Sequence, residues 1–370
     1  MQNLIGNVNG NVTINIYSTP GAPIQGQMAP HREAGTEFAQ EFAPEAKPLP
    51  ERLVDEIRGK RQPWRPKKKK TIKLSKAMHE LGQSKKANRV WWCSEELVFT
   101  ECPETGKKKL RMANFCRERL CVMCNWRLSI KTFYQLSQVM DIAQEENPNL
   151  VPIFLTLTVT NCSGDDLPAT LDMMFSGWAR LTEHRRVRKA IKGWFRALEV
   201  TYNKEKDDYH PHFHALMVVD KSYFSTRGVY LHHEKENNEW AHIWRTSCRL
   251  DYDPVTDIRA VRNQHEGRNR KHVAEVAKYT VKDTDYIHED EDLTVKIVNA
   301  LGKALYRRRL FAYGGVLKEI AKRIKADREA EDLIHMDETS TMREDIANQL
   351  IIYKWDFGLA DYFRTDTFNY

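Results

Sequence analysis

The stretch FRALEVTYNKEKDDYHPHFHALMVV, Phe195 to Val219, decides how this chain folds. FRALEVTYN is an apolar run with β-branched residues, KEKDD is a polar turn, and YHPHFHALMVV returns to an apolar run. Two such runs about a short polar turn predict an antiparallel hairpin. Successive side chains of a strand point to opposite faces, so His210, His212 and His214 share one face while Phe213 and Ala215 share the other. At about 3.3 Å per residue, His212 and His214 sit roughly 6.6 Å apart at Cα and can converge on one ion. His210 and His214, about 13 Å apart, cannot. Pro211 lacks an N–H and suits a strand start, which leaves His210 at the mouth. If the runs pair through the turn near Lys204 to Asp208, Glu199 faces His212 or His214 across the ladder. A carboxylate between Leu198 and Val200 is expensive to bury unless it is paired or bound to a cation. It is therefore either an ion-pair partner of Arg196 or a nearby lysine, or a third metal ligand. Two imidazoles and a carboxylate with open positions suit Mg²⁺ or Mn²⁺ where phosphate supplies further oxygens, and Zn²⁺ also fits.

Working outward, VPIFLTLTVTN (Val151–Asn161) predicts a strand, and Ser163 to Asp166 a turn. A helix follows with Leu171, Phe175, Trp178 and Leu181 on one side, then the basic run HRRVRKAIKGWFR (His184–Arg196). Upstream, Trp126, Ile130, Phe133, Leu136 and Met140 recur at helical spacing. Beyond the hairpin come a Trp-bearing helix near NNEWAHIWRTSCRL, a short strand VTDIRAV and the helix KHVAEVAKYTVKDTDY. The segment LTVKIVNALGKALYRRRLFAYGGVLKEIAKRI reads as two helices separated by Gly314 and Gly315. This order predicts an α+β fold with helices over a largely antiparallel sheet. On the helix bearing KHVAEVAKYTVKD, Glu275 and Tyr279 are adjacent on one face, and Val273, Val276, Ala277 and Val281 line another. A phenol beside a carboxylate is either a solvated pair or a nucleophile with its base. Lys278 and Lys282 flank the tyrosine in positions suited to a phosphate.

Five of the seven cysteines fall between Cys93 and Cys124. Cys116, Cys121 and Cys124 give a C-x4-C-x2-C spacing, and the x2 interval is a typical half-site for structural Zn²⁺. Cys93 and Cys102 compete for the fourth position. Net charge is +7, but between Ile57 and Arg89 there are thirteen Lys or Arg and a single acid, Glu80. That asymmetry points to nucleic acid. No window approaches the roughly 20 apolar residues of a membrane span, and the N-terminus lacks the layout of a secretory signal, so a cytoplasmic address is expected.

FLTLTVTN, YHPHFHALM and EVAKYTVKD, in that order, resemble the three motifs of plasmid rolling-circle replication initiators of the HUH endonuclease superfamily, in the branch where a Glu precedes the tyrosine by four. NFCRERLCVMCNWR resembles the upstream cysteine element of that branch, with Val122 where the family more often has proline, and WFRALEVTYN and AYGGVLKEIAK also match family text. The resemblance runs from about Cys93 to Arg323. It implies a ferredoxin-like palm with the histidine pair on a central strand, His212 and His214 as ligands of the divalent cation, Tyr279 as the catalytic tyrosine and Glu275 as the acid that activates water at termination. Thr156 and Thr158 lie on the strand of the first motif. Implied too is a nick at a DNA origin that leaves a 5′-phosphotyrosine and a free 3′-hydroxyl, with a host helicase and polymerase as partners.

The expected organisation is a disordered basic arm (1–75), a zinc-binding element with its connecting helix (76–135), a nuclease domain (136–330) and a C-terminal extension (331–370). DNA contacts are expected from the arm ending at Lys70, from Arg185, Arg186 and Arg188, and from Arg307 to Arg309. Two other classes fit parts of the pattern: a non-catalytic zinc-stabilised DNA-binding regulator, and a zinc hydrolase of small substrates. Tyr286, on the same helical stripe as Tyr279, is the alternative nucleophile.

Overall fold

The computed structural model describes residues 50–57, 59–234, 236–260, 273–274, 276–277, 281–326, 333–334 and 349–365. Its first helix, α1 (Trp64–Glu80), buries Trp64, Lys68, Thr71, Leu74 and Met78. Those positions recur every three or four residues, which is an amphipathic helix written through a lysine run. The disordered arm expected for 1–75 is thus corrected over 64–75, and residues 1–49 lie outside the described ones. Helix α2 (Ser84–Trp91) folds back on α1 and is followed by a hairpin of β1 (Glu96–Glu101) and β2 (Lys108–Ala113). Helix α3 (Val122–Glu146) is 25 residues long, about 37 Å at 1.5 Å per residue. It starts among the cysteines and ends against the central sheet, where Leu136, Val139 and Ala143 join a core with Phe154 and Leu216.

The central unit comprises β3 (Leu150–Thr158), α4 (Leu167–Glu183), α5 (Arg185–Ala190), β4 (Ile191–Asn203), β5 (Asp208–Asp220), α6 (Glu239–Cys248) and β6 (Thr256–Ala260). After the short α7 (Asp283–Tyr286) come α8 (Glu291–Ala304), β7 (Phe311–Gly314) and α9 (Gly315–Arg323). The sheet has five strands in the order β6-β3-β5-β4-β7, every neighbouring pair antiparallel. Without edge strand β7 this is the split βαβ arrangement of ferredoxin-like folds. The hairpin predicted from Phe195–Val219 is β4–β5, with Glu199 opposite His212.

Strand β5 is central and covered on both faces. On the histidine face, Leu216 and Val218 pack with α3, α9, Val273 and Val276. On the other, Phe213 meets Phe175, Trp178 and Trp244 of α4 and α6. β7 corrects the expectation of two helices merely separated by Gly314 and Gly315, since Phe311–Gly314 pairs with Trp194–Ala197. Gly315 has φ +57°, and a Cβ there would lie 2.1 Å from the Lys192 carbonyl oxygen, so glycine is required where the chain turns into α9.

The chain's end is not a separate extension, which corrects the expectation for 331–370. Strands β8 (Gln349–Asp356) and β9 (Asp361–Arg364) return to the cysteine module and form a four-stranded sheet, β9-β8-β1-β2. Among the described residues, no helix is long and apolar enough to cross a membrane.

Candidate functional site

Register builds the first constellation. Because Glu199 pairs with His212, and Thr156 with His214, the pleat turns all four side chains to one face. Nε2 of His214 lies 2.9 Å from Oε2 of Glu199 and 3.1 Å from Nε2 of His212, and His212 Nε2 lies 3.4 Å from the same carboxylate oxygen. The ligand atoms of Glu199, His212 and His214 all fall within 4.8 Å of one another. Each imidazole is oriented through its other nitrogen, His214 Nδ1 by Thr156 Oγ1 at 3.1 Å and His212 Nδ1 by the His210 carbonyl at 3.2 Å. That is how metal-binding histidines are ordinarily aimed. Burial would raise the Glu199 pKa, but hydrogen bonds from His212 and His214 and the nearby Lys282 outweigh it and hold the carboxyl well below its usual range. A buried carboxylate anion converging with two imidazole nitrogens is a donor set that fits a divalent cation. His210 stands aside as expected, its Nδ1 2.8 Å from Asn161 Oδ1.

Of the two readings of Glu199, the ion pair is present and its partner is a lysine, not Arg196. Its Oε1 pairs with Lys282 at 3.1 Å, while Arg196 lies on the opposite face, 4.6 Å from the ring centroids of Phe175 and Phe213. Glu275, Lys278 and Tyr279 lie outside the described residues. Their described neighbours Val273, Val276, Ala277 and Val281 are all buried, as the helical spacing predicted, and the Ala277 N–H donates to the Val273 carbonyl. Tyr286, the alternative nucleophile, is corrected: it is 1 % exposed and its hydroxyl donates to the Leu120 carbonyl, so it is part of the core.

The cations expected to meet DNA divide. Arg185 is exposed. Arg186 pairs with Glu239 and donates to the Tyr230 carbonyl, and Arg188 lies 3.5 Å from Glu183. In the run ending at Lys70, Lys67 and Lys70 pair with Asp283, and Lys68 is fully buried, donating to the carbonyls of Trp91 and Cys93 at 2.7 Å each. Arg308 is held by Asp172.

The second constellation is Cys93, Cys116, Cys121 and Cys124. Sulfur separations are 3.6 Å for Cys93–Cys124, 3.8 Å for Cys116–Cys124 and 3.5 Å for Cys121–Cys93. Four thiolates at about 2.3 Å from a tetrahedral zinc stand about 3.8 Å apart, so the set fits that ion. Backbone N–H groups of Cys116, Arg117 and Glu118 point at the sulfurs of Cys93, Cys124 and Cys116, which favours thiolates. Contacts with Cys116, Cys121 and Cys93, and then burial, push the Cys124 thiol well above its ordinary range, which a cation among the sulfurs reverses. Cys102 is excluded for a geometric reason. Strand β1 separates it from Cys93, and six residues at about 3.3 Å each span roughly 20 Å. Sequence reasoning missed Lys68 and the Thr156–His214 contact. The signals were the helical spacing of α1 and the alternation of the two threonines.

The profile of a family described as "Replication protein" matches residues 107–363. A "Protein rep" from Bacillus amyloliquefaciens is 36% identical over 327 residues, covering 82% of this chain and 94% of that protein. A "Protein rep" from Streptococcus pneumoniae is 38% identical over 310 residues, 83% of this chain and 93% of its own. A "Replication protein" from Staphylococcus aureus is 34% identical over 226 residues, 60% of this chain and 94% of its own. No solved structure matches the chain.

Proposed function

The chain belongs to the replication-protein family, and from that premise we propose that it initiates rolling-circle replication of a plasmid by nicking one strand of its origin in the bacterial cytoplasm. The observation that carries this reading is the buried Glu199–His212–His214 set on the central strands, with Lys282, three residues beyond Tyr279, on the Glu199 carboxylate. Glu199, His212 and His214 would hold Mg²⁺ or Mn²⁺, which would supply Lewis-acid polarisation of the scissile phosphate. Thr156 and the His210 carbonyl aim the imidazoles, and Lys282 adds a positive charge for a phosphate oxygen. The Tyr279 phenol loses its proton and its oxygen attacks phosphorus. The bond to the 3′-oxygen breaks, that oxygen takes up a proton, and the 5′-phosphate stays esterified to Tyr279. At termination Glu275 takes a proton from water, whose oxygen attacks phosphorus at the regenerated origin, so that hydrolysis takes the place of a second covalent transfer to a tyrosine. The Cys93–Cys116–Cys121–Cys124 module with Zn²⁺ is structural. A host polymerase extends the 3′-hydroxyl and a host helicase opens the duplex.

The test is incubation with Mn²⁺ and labelled single-stranded DNA carrying the origin of the replicon that encodes the chain, then a denaturing gel. A covalent adduct is expected for the wild type and for Glu275→Ala, and none for Tyr279→Phe. An undiminished adduct in Tyr279→Phe overturns the reading.

A further inference from the structure

Between α1 and α2 runs a cleft of about 610 Å³ whose walls include Lys76, His79, Asn88, Trp91 and Trp92. Its lining runs from Glu80 and Ser84, either side of the α1–α2 turn, to an aromatic corner at Trp91 and Trp92. There Trp91 stacks on Phe357 from the β8–β9 turn, ring centroids 5.1 Å apart and planes within 4°, and Trp92 meets Phe357 edge-on at 5.8 Å. Trp92 is 45% exposed and Phe357 40%. The Trp92 ring is held in place, its Nε1–H donating to Asn88 Oδ1 at 3.1 Å. Packing explains the buried side of this corner but not why three large rings meet at the surface.

The charge around it is unbalanced. Lys69, Lys76, Lys85 and Lys86 are exposed and make no ion pair among the described residues, unlike Lys67, Lys70 and Lys73 of the same helix. Lys69 and Lys76 are seven residues apart, on one side of α1 and about 10 Å from each other along its axis. Lys85 stands two turns before Trp92 on α2.

We propose that this face of the cysteine module is a second DNA-binding surface, which takes a single strand by stacking unpaired bases on Trp92 and Phe357 and running its phosphates past Lys69, Lys76 and Lys85. Aromatic faces beside a basic groove are how sequence-tolerant single-strand binding is built. A duplex hides its base faces, so the surface selects unpaired DNA. The proposal rests on reading the chain as a DNA-handling protein. It does not need the nicking chemistry.

The full chain is titrated into fluorescein-labelled dT20 without origin sequence and without divalent metal, and anisotropy is followed. Trp92→Ala is expected to weaken binding about 5- to 150-fold, the range for loss of one stacked base. The pair Lys69→Gln, Lys76→Gln is expected to lower the slope of log K against log salt by about 1.4, two phosphate contacts on a single strand. A blunt duplex of equal length should be affected far less by Trp92→Ala. Unchanged dT20 binding in both variants, or an equal Trp92→Ala effect on the duplex, overturns the proposal, as it would if the corner were a protein-docking surface. Zinc content and circular dichroism check folding, and the lysine pair, exposed on α1, remains decisive if Trp92→Ala misfolds. Wild-type protein that binds dT20 but forms no adduct with origin DNA sinks the nickase reading and leaves this one standing.

Discussion

At the scale of single residues, the metal set makes a prediction with two signs. Changing a group that only orients a metal ligand commonly costs about 10- to 100-fold in affinity, so Glu199→Gln, which alters a ligand of the proposed site, should weaken Mn²⁺ binding at least tenfold by calorimetry. Lys282→Met should do the opposite and strengthen it, because a cation 3.1 Å from a ligand oxygen competes with the metal. Weaker Mn²⁺ binding in Lys282→Met would show that the lysine supports the site. The pH behaviour follows from the lowered pKa of Glu199. Its stabilising contribution is complete above the unfolded value of about 4.3 and is lost only as pH falls through the lower folded value. Between pH 5 and 8 any change in metal affinity therefore arises from other groups. These residues were legible because a strand repeats every two positions and a short turn leaves little choice of register. The fourth cysteine of the cluster was not, since Cys93 and Cys102 both lie upstream of Cys116 and only the strand between them, invisible to a count of cysteines, puts them at opposite ends.

At the scale of elements, α4 crosses α6 at its closest where Gly177 faces Cys248. A Cβ at Gly177 would lie 2.3 Å from the Cys248 sulfur and 3.2 Å from the Trp244 ring. Gly177→Ala should therefore destabilise by about 1–3 kcal/mol through overpacking, read in thermal melts. Cys248→Ala should recover part of that, leaving the double variant at least about 0.5 kcal/mol better than the sum of the singles. Additive effects would mean that Trp244, not the sulfur, sets the approach. Burial pushes the Cys248 thiol up to about 12. Raised above its unfolded value of about 8.5, it favours the fold most at lower pH, and that contribution fades as pH climbs towards 12. Helix α1 shows why some elements were not read. Trp64, Thr71, Leu74 and Met78 carry the helical period, but Lys68 occupies one of the buried positions, and a run of lysines judged by composition reads as a solvated arm. Strand β7 was lost for a related reason: Gly314 and Gly315 announce a break, and Phe311–Gly314 pairs only because β4 offers a free edge.

At the scale of the whole molecule, the chain closes on itself. Strand β8 is an inner strand of the cysteine module's sheet, flanked by β1 and β9. The Tyr362 hydroxyl donates to the Ser94 carbonyl at 2.6 Å, one residue beyond Cys93. The Trp355 N–H donates to the Glu95 carbonyl at 2.8 Å. The family profile likewise extends to residue 363, past the Arg323 where the motif resemblance ended. Such a long-range pairing has no local signature, because a strand read by itself does not name a partner some 250 residues away. A stop after residue 348 is thus no trimming of a tail. It removes two of four strands, bares the β1 edge and takes Tyr353, Trp355 and Tyr362, all buried, out of the core of the cysteine module. The truncated chain should lose its zinc on gel filtration and melt well below the full chain. A truncated chain that keeps one zinc and melts within about 1 °C of full length, less than 1 kcal/mol in a domain of this size, would show that the cysteine module stands on α1, α2 and the β1–β2 hairpin alone. The central sheet draws no strand from β8 or β9. Mn²⁺ binding that survives the truncation while zinc is lost would therefore separate the two metal sites into independently folding halves.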